Sequence, residues 1–461
     1  MPVFSTGSFV WIVLATDLLV WLLVAIVAGY TLYCRRHPHL AAPWARVFRS
    51  PPGMASLVVL VAYVGIGLLD SAHLRLALPG KEGSATAYST EVLSVLDLGL
   101  SGLRGRGEKT YSAPLATRSY AKELMELPGG KQVRDFARLR YGGAHLKDEG
   151  EWGADVAGRV LKGLGFSLVA FLLCFVLVKL LGKAKPQIPW NSALGALGVL
   201  LLLAGPAFAL SSGYHVLGTD KVGQDVFYSA LKSIRTSLVI GTITTLVLLP
   251  VGVALGIMAG YFRGWVDDVI QYVYTTLNSI PGVLLIAASV LMLQVVIERH
   301  PEWFSLAAQR SDFRLLVLCA ILGLTSWTGL ARLLRGETLK LSQLEYIQAA
   351  HAFGVRDTRV LSRHILPNVS HIVIIAVVMD FSGFVLAEAV LSYVGVGVDP
   401  STNSFGVMIN AARLEMSREP IVWWTLATAF TFMFALVLAA NLFADAVRDG
   451  FDPRVRMQVA T

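Results

Sequence analysis

The sequence predicts an all-α polytopic membrane protein, and three features lead there. Hydrophobic residues make up 55% of the 461 positions and charged residues only 15%, a balance foreign to soluble globular domains. Apolar runs approaching the roughly 20 residues that cross a bilayer as a helix recur along the chain. An isolated run in hydrocarbon satisfies its backbone polar groups only internally, so each run is assigned to a helix.

Nine spans are expected, at 8–33, 54–70, 163–182, 191–212, 236–260, 268–297, 313–334, 371–394 and 421–444. The first is too long for a signal h-region, no Lys or Arg precedes it, and Arg35 and Arg36 follow it. It is therefore expected to be retained, with the N-terminus outside. Alternation then places the loops around Arg35, Lys183, Arg263 and Glu345, and the C-terminal tail, in the cytoplasm. Those segments carry about twice as many Lys and Arg as the short loops on the other side. The net charge of +8 is explained by these flanks, so the expected surroundings are membrane lipid and no nucleic-acid partner is expected. Cys34, Cys174 and Cys319 are far apart and form no metal-ligand pattern, so neither a disulfide framework nor a metal site is expected.

Residues 71–162 form one long loop, expected outside as a small extracytoplasmic insert. EKTYSAPLATRSYAKELMEL and KQVRDFARLRYGG look like helical pieces broken at Pro114, Pro128 and Gly129-Gly130. SGLRGRGEKT imitates a phosphate-binding loop, but Glu108 intrudes between Gly107 and Lys109. The motif needs its lysine directly after the glycine, and a carboxylate there repels phosphate. A Gly/Arg turn is the better reading, and no nucleotide site or other cofactor is expected in this chain.

A polar island, EYIQAAHAFGVRDTRVLSRHILPN, spans residues 345–368 between two apolar segments. Helical composition runs from Glu345 to Phe353, and Gly354 sits where a C′ glycine ends a helix. Asp357 is expected to cap a second helix that Pro367 stops. Ala349 and Ala350 offer a small-residue surface that lets a partner approach closely. An ordinary helical connection stands as the alternative.

The pattern EYIQAAHAFG followed by HILPN resembles the EAA loop of ABC importer permeases, specifically the C-type permease subunit of the dipeptide, oligopeptide and nickel family. Three other stretches agree in order: HVLGTDKVGQDVFYSALKSIRTSLVIG, LSYVGVGVDPSTNSFGVMINAAR and NLFADAVRDGFDPRVR. The resemblance implies a six-helix type I permease core at 191–461, with a cytoplasmic coupling loop at 335–369. Outside it lie two extra N-terminal transmembrane helices at 1–70, the insert at 71–162, and a third extra helix with a cytoplasmic linker at 163–190. The positions carried over for ATPase coupling are Glu345, Gln348, Ala349, Ala350, Gly354, Leu366 and Pro367. Gln348 departs from the family's usual glutamate, keeping hydrogen bonds but losing the charge. Implied partners are a second permease subunit in a heterodimer, two cytoplasmic ABC ATPase subunits that hold ATP and Mg, and an extracytoplasmic substrate-binding protein. The chain itself is expected to be non-catalytic and to reside in a bacterial inner membrane, with di- or oligopeptides as cargo.

Ionisable residues inside spans are functional candidates because their burial is costly. Asp17, Asp380 and Glu388 qualify, and Asp380 and Glu388 lie within about 80 degrees of each other on an ideal helix. Bonding between helices is the alternative reading for all three. Asn278, followed by Pro281, is a further candidate for the path or for a kink. Two other functions remain open to the sequence: a proton-coupled secondary transporter using Asp380 and Glu388, and a membrane scaffold acting through 71–162.

Overall fold

The computed structural model describes residues 3–5, 9–78, 88–126, 132–182 and 187–451. It is mostly helical, as expected, and nine helical segments among the described residues are long and apolar enough to cross a membrane. In chain order the elements begin with β1 (Val3–Ser5), β2 (Phe9–Ile12), α1 (Ala15–Arg36), α2 (Pro38–Val47) and α3 (Pro51–Asp70). Next come β3 (His73–Leu76), β4 (Leu93–Ser94), α4 (Val95–Gly99), α5 (Ser101–Arg104), β5 (Arg118–Glu126) and β6 (Gln132–Arg138). The helices α6 (Trp152–Gly182), α7 (Trp190–Ser211), α8 (Val226–Phe262), α9 (Gly264–Ser279), α10 (Gly282–Arg299) and α11 (Ala307–Ser326) follow. The chain closes with α12 (Thr328–Leu341), α13 (Glu345–Ala352), α14 (Asp357–Val360), α15 (Leu366–Val394), α16 (Phe405–Glu415) and α17 (Trp424–Phe451).

Two expected spans differ. The first opens with a strand, since β2 pairs antiparallel with both β1 and β3. Its alternating burial of Val10 and Ile12 suits a sheet, whose ladder supplies the backbone bonds that a helix was expected to supply. The segment 268–297 is two helices, because the chain is extended at Ile280 and Pro281 opens α10. A residue before proline is pushed out of helical conformation, so the expected kink is a full break.

Contacts group the chain into two compact units. The first comprises Met1–Asp17, Phe48–Leu238 and Pro400–Ala439. Here α6 and α7 pack closely: a Cβ on Gly163 would lie 2.6 Å from the Pro206 Cα, and the Ser167 hydroxyl donates to the Leu201 carbonyl at 2.6 Å. The pieces expected to be helical within 71–162 are instead the antiparallel hairpin β5–β6, and β1–β2–β3–β4 form a four-stranded sheet. Residues such as Ala121 to Glu126 favour helices intrinsically, but cross-strand pairing overrides a weak local preference. Pro128 and Gly129-Gly130, assigned as breaks, lie outside the described residues, as do Lys183 and residues 452–456.

The second unit comprises Leu18–Val47, Val239–Asp399 and Ala440–Thr461. Within it α8 approaches α12 closely. A Cβ on Gly256 would meet the Ala331 carbonyl oxygen at 2.7 Å, and one on Gly260 the Arg335 carbonyl oxygen at 2.7 Å. Spaced four apart, these glycines share a helix face and let the two backbones touch. Arg335 then forks onto Asp267 of α9, with both N–H···O distances at 2.6 Å. The Ser382 hydroxyl of α15 donates to Asn441 of α17 at 2.6 Å.

Candidate functional site

The polar island folds as a short helix, a glycine turn and a second helical segment. Glu345 in the first turn of α13 complements the helix dipole. At the other end Gly354 has φ +70°, its N–H donates to the His351 carbonyl at 2.9 Å, and the Val355 N–H donates to the Ala350 carbonyl at 3.0 Å. These are the two bonds of a Schellman motif, which places the glycine where the sequence expected it.

Below the turn, Ile347, Val360, Ile365 and Val369 are fully buried. Above it, Glu345, Gln348, Ala349, Gly354, Leu366 and Pro367 are exposed and Ala350 is half-buried. Of the positions carried over from the resemblance, all but Ala350 are thus individually exposed. Phe353, which sequence reading passed over, is 87% exposed at the glycine turn. Its signal was a phenylalanine at the capping position, with no further helix to cover it. Gln348 turns back to its own chain, its amide donating to the Gln343 carbonyl at 3.2 Å. A glutamate could not make that bond.

Two local expectations fail here. Asp357 is not a cap: Arg356 occupies that position without a side-chain bond, and Asp357 instead accepts from the Tyr261 hydroxyl at 2.7 Å. Pro367 does not stop the helix, since α14 continues through a π-helical turn, Leu361–Ile365, directly into α15. Proline lacks an N–H and crowds the carbonyl one turn back, and the widened turn accommodates it.

The polar candidates inside spans separate. Asn278 is exposed and accepts from the Thr328 hydroxyl at 3.1 Å. Glu388 is buried and accepts from Ser392 one turn on, at 2.6 Å. Asp380 is half-buried and has no hydrogen bond or ion pair among the described residues. Asp17 bonds between helices: it accepts from Arg235 of α8 at 2.6 Å, and its other oxygen faces the His73 Nδ1 at 2.7 Å. Arg235 also donates to the Thr16 and Ser71 hydroxyls. One turn earlier, Lys232 bridges Asp70 and Asp97, and the Tyr228 hydroxyl donates to Asp97 at 2.7 Å. Tyr228, Lys232 and Arg235 share one face of α8, and this spacing was the available signal for a network that sequence reading missed.

A second polar junction ties residues 71–162 to the stretch before α8. Glu108, the residue that spoiled the phosphate-loop pattern, accepts from the backbone N–H groups of Arg140, Tyr141 and Gly142. His215 lies buried between Asp225, 2.7 Å from Nδ1, and Glu108, 3.3 Å from Nε2. Burial alone would lower the His215 pKa, but its bonds to the two carboxylates outweigh it and raise the pKa to about 9. Burial likewise opposes ionisation of Glu108, yet His215 and the three backbone donors hold its pKa down at about 2. Beside them Thr219 uses every polar group. Its N–H donates to the Ser112 carbonyl at 3.1 Å, and its hydroxyl accepts from the Ser112 N–H at 2.6 Å and donates to the Thr110 carbonyl at 2.9 Å. Its carbonyl accepts from the Trp424 indole at 3.0 Å.

Among the described residues, nine helical segments long and apolar enough to cross a membrane, together with the exposed polar helix–glycine–helix element at 345–367, define an integral membrane component. Residues 252–457 match the family of binding-protein-dependent transport system inner membrane components. The chain is 34% identical over 245 residues to a glutathione transport system permease protein of Pectobacterium atrosepticum, covering 53% of this chain and 74% of that one. It is 29% identical over 290 residues to an oligopeptide transport system permease protein of Mycobacterium bovis, covering 63% and 90%. Against a dipeptide transport system permease protein of Lactococcus lactis it is 30% identical over 240 residues, covering 52% and 64%. The chain belongs to the family of binding-protein-dependent transport system inner membrane components, in the C-type permease group that the motifs suggested. It is a multi-pass permease of the ABC importer type.

Proposed function

We propose that this permease forms half of the translocation path of an ATP-driven importer for di- or oligopeptides, with residues 345–367 as the dock for a cytoplasmic ATPase. The surface on which Phe353, Gly354 and Ala349 stand exposed above the buried Ile347, Val360 and Ile365 carries this reading. A protruding aromatic beside small residues is the shape that fills a pocket on a partner. Relatives whose names specify glutathione, oligopeptides and dipeptides support the peptide class. The N-terminus lies outside and the C-terminus in the cytoplasm, following the distribution of Lys and Arg. A second permease, two ATPase subunits carrying ATP and Mg, and an extracytoplasmic binding protein complete the assembly. Nucleotide-dependent closure of the ATPases biases the spans between two states through this dock.

Within the path, Asp380 is the strongest candidate for contact with cargo, because Asp17, Asn278 and Glu388 are already bonded. The test is deletion of Ala349 to Gly354 in the assembled complex. ATPase retention on the purified membrane complex and peptide uptake are both expected to be lost. Retention and uptake at wild-type levels would overturn the reading, and uptake abolished by a protonophore with ATP present would favour proton coupling instead.

A further inference from the structure

The coupling element is held from a second side. Tyr261, in the last turn of α8, stacks on His351 of α13 with ring centroids 5.5 Å apart and planes 28° from parallel. Its hydroxyl donates to Asp357 of α14 at 2.7 Å and lies 3.0 Å from the His351 Nε2. A phenol has one proton, and here it goes to the carboxylate. The His351 Nε2 must then carry its own hydrogen and donate. One side chain therefore joins α8 to both helices flanking Gly354.

The neighbouring contacts extend that bond into the spans. Gly256 and Gly260, on the same end of α8, touch the backbone of α12, which leads into α13 through Ser342, Gln343 and Leu344. Arg263 closes the corner by donating to the Ser342 hydroxyl at 2.8 Å. α13 is thus tied to α12 by the chain and to α8 by the phenol, while its outer surface, including Phe353, stays open.

We infer that Tyr261 is a positioning residue: it makes residues 345–357 move as one body with α8 and α12, so that displacement of the dock reaches the spans. This rests on the reading of 345–367 as the ATPase dock. Without the phenol bond, the glycine turn would let α13 swing while α8 stayed behind.

The test uses the full complex in proteoliposomes, measuring ATP hydrolysed per peptide imported alongside ATPase retention. Tyr261→Phe keeps the ring stack and removes the hydroxyl, and Asp357→Ala removes its acceptor. Each is expected to raise the ATP-to-peptide ratio by about threefold to tenfold, the scale of one ordinary solvent-exposed hydrogen bond, with retention unchanged. The double variant is expected to match Tyr261→Phe alone, because that variant has already removed the bond to Asp357. Asp357→Asn, which keeps an acceptor oxygen, is expected to restore most of the coupling. An unchanged ratio in Tyr261→Phe, multiplying effects in the double variant, or ATPase loss in Tyr261→Phe would overturn the inference. If the chain lacking Ala349 to Gly354 still retains the ATPase, the dock itself is wrong. If that chain loses the ATPase while Tyr261→Phe transports at the wild-type ratio, only the brace is wrong.

Discussion

Residues 71–162 and residues 345–367 both interrupt an apolar chain with polar sequence, and they are held in opposite ways. The first segment is secured by buried charge: Asp97 meets Lys232, Glu108 meets His215, and His73 lies beside Asp17. The second sits on a floor of Ile347, Val360, Ile365 and Val369 and keeps its charged groups exposed. Buried pairs bind rigidly and fail steeply when one partner goes, because the remaining charge is stranded. An apolar floor leaves the upper surface free to meet something else. The contrast separates a segment wired into its own protein from one available to another.

Breaking the wiring gives the largest expected effect. Asp17→Ala leaves Arg235 buried without its carboxylate and is expected to cost about 3–5 kcal/mol, read as a lowered thermal midpoint in detergent. A pH series probes the second junction. The folded pKa of His215, about 9, lies above its ordinary 6.5, so its stabilisation is complete below pH 6.5 and is lost as pH rises through 9. A shift of that size corresponds to a loss on the order of 3 kcal/mol. Glu108 sets the acid limit, its contribution being complete above 4.5 and lost as pH falls towards 2. His215→Gln is expected to flatten the alkaline arm.

Smaller changes are expected in residues 345–367, the proposed dock. Gly354→Val forces a side chain into left-handed backbone at about 1–2 kcal/mol. That cost falls on the end of α13, so ATPase retention drops while the thermal midpoint barely moves. Glu345→Ala, on the exposed face, is expected to change stability by no more than about 0.5 kcal/mol. A large destabilisation there would erase the contrast between the segments.

What could be read from the sequence follows the range of the forces involved. Hydrocarbon demands apolar helices residue by residue, so the spans were legible even where their ends moved. Gly354 was legible because a helix end is settled within six residues. The strands β5 and β6 were not, since Ala121 to Glu126 prefer a helix until a partner strand arrives. Asp17 was recognisable as an anomaly, but its partner Arg235 lies far along the chain and no local rule links them. Pro367 misled because the rule that proline ends helices omits the widened turn that absorbs it.

Thr219 ties residues 71–162 to the stretch before α8 through most of its polar groups. Excising residues 71–162 would remove the Ser112 and Thr110 partners of its amide hydrogen and hydroxyl, while the Trp424 indole still held its carbonyl. Removing the segment whole is therefore expected to unseat the stretch that leads into α8, whereas substitutions on the segment's exposed surface are expected to leave that stretch in place.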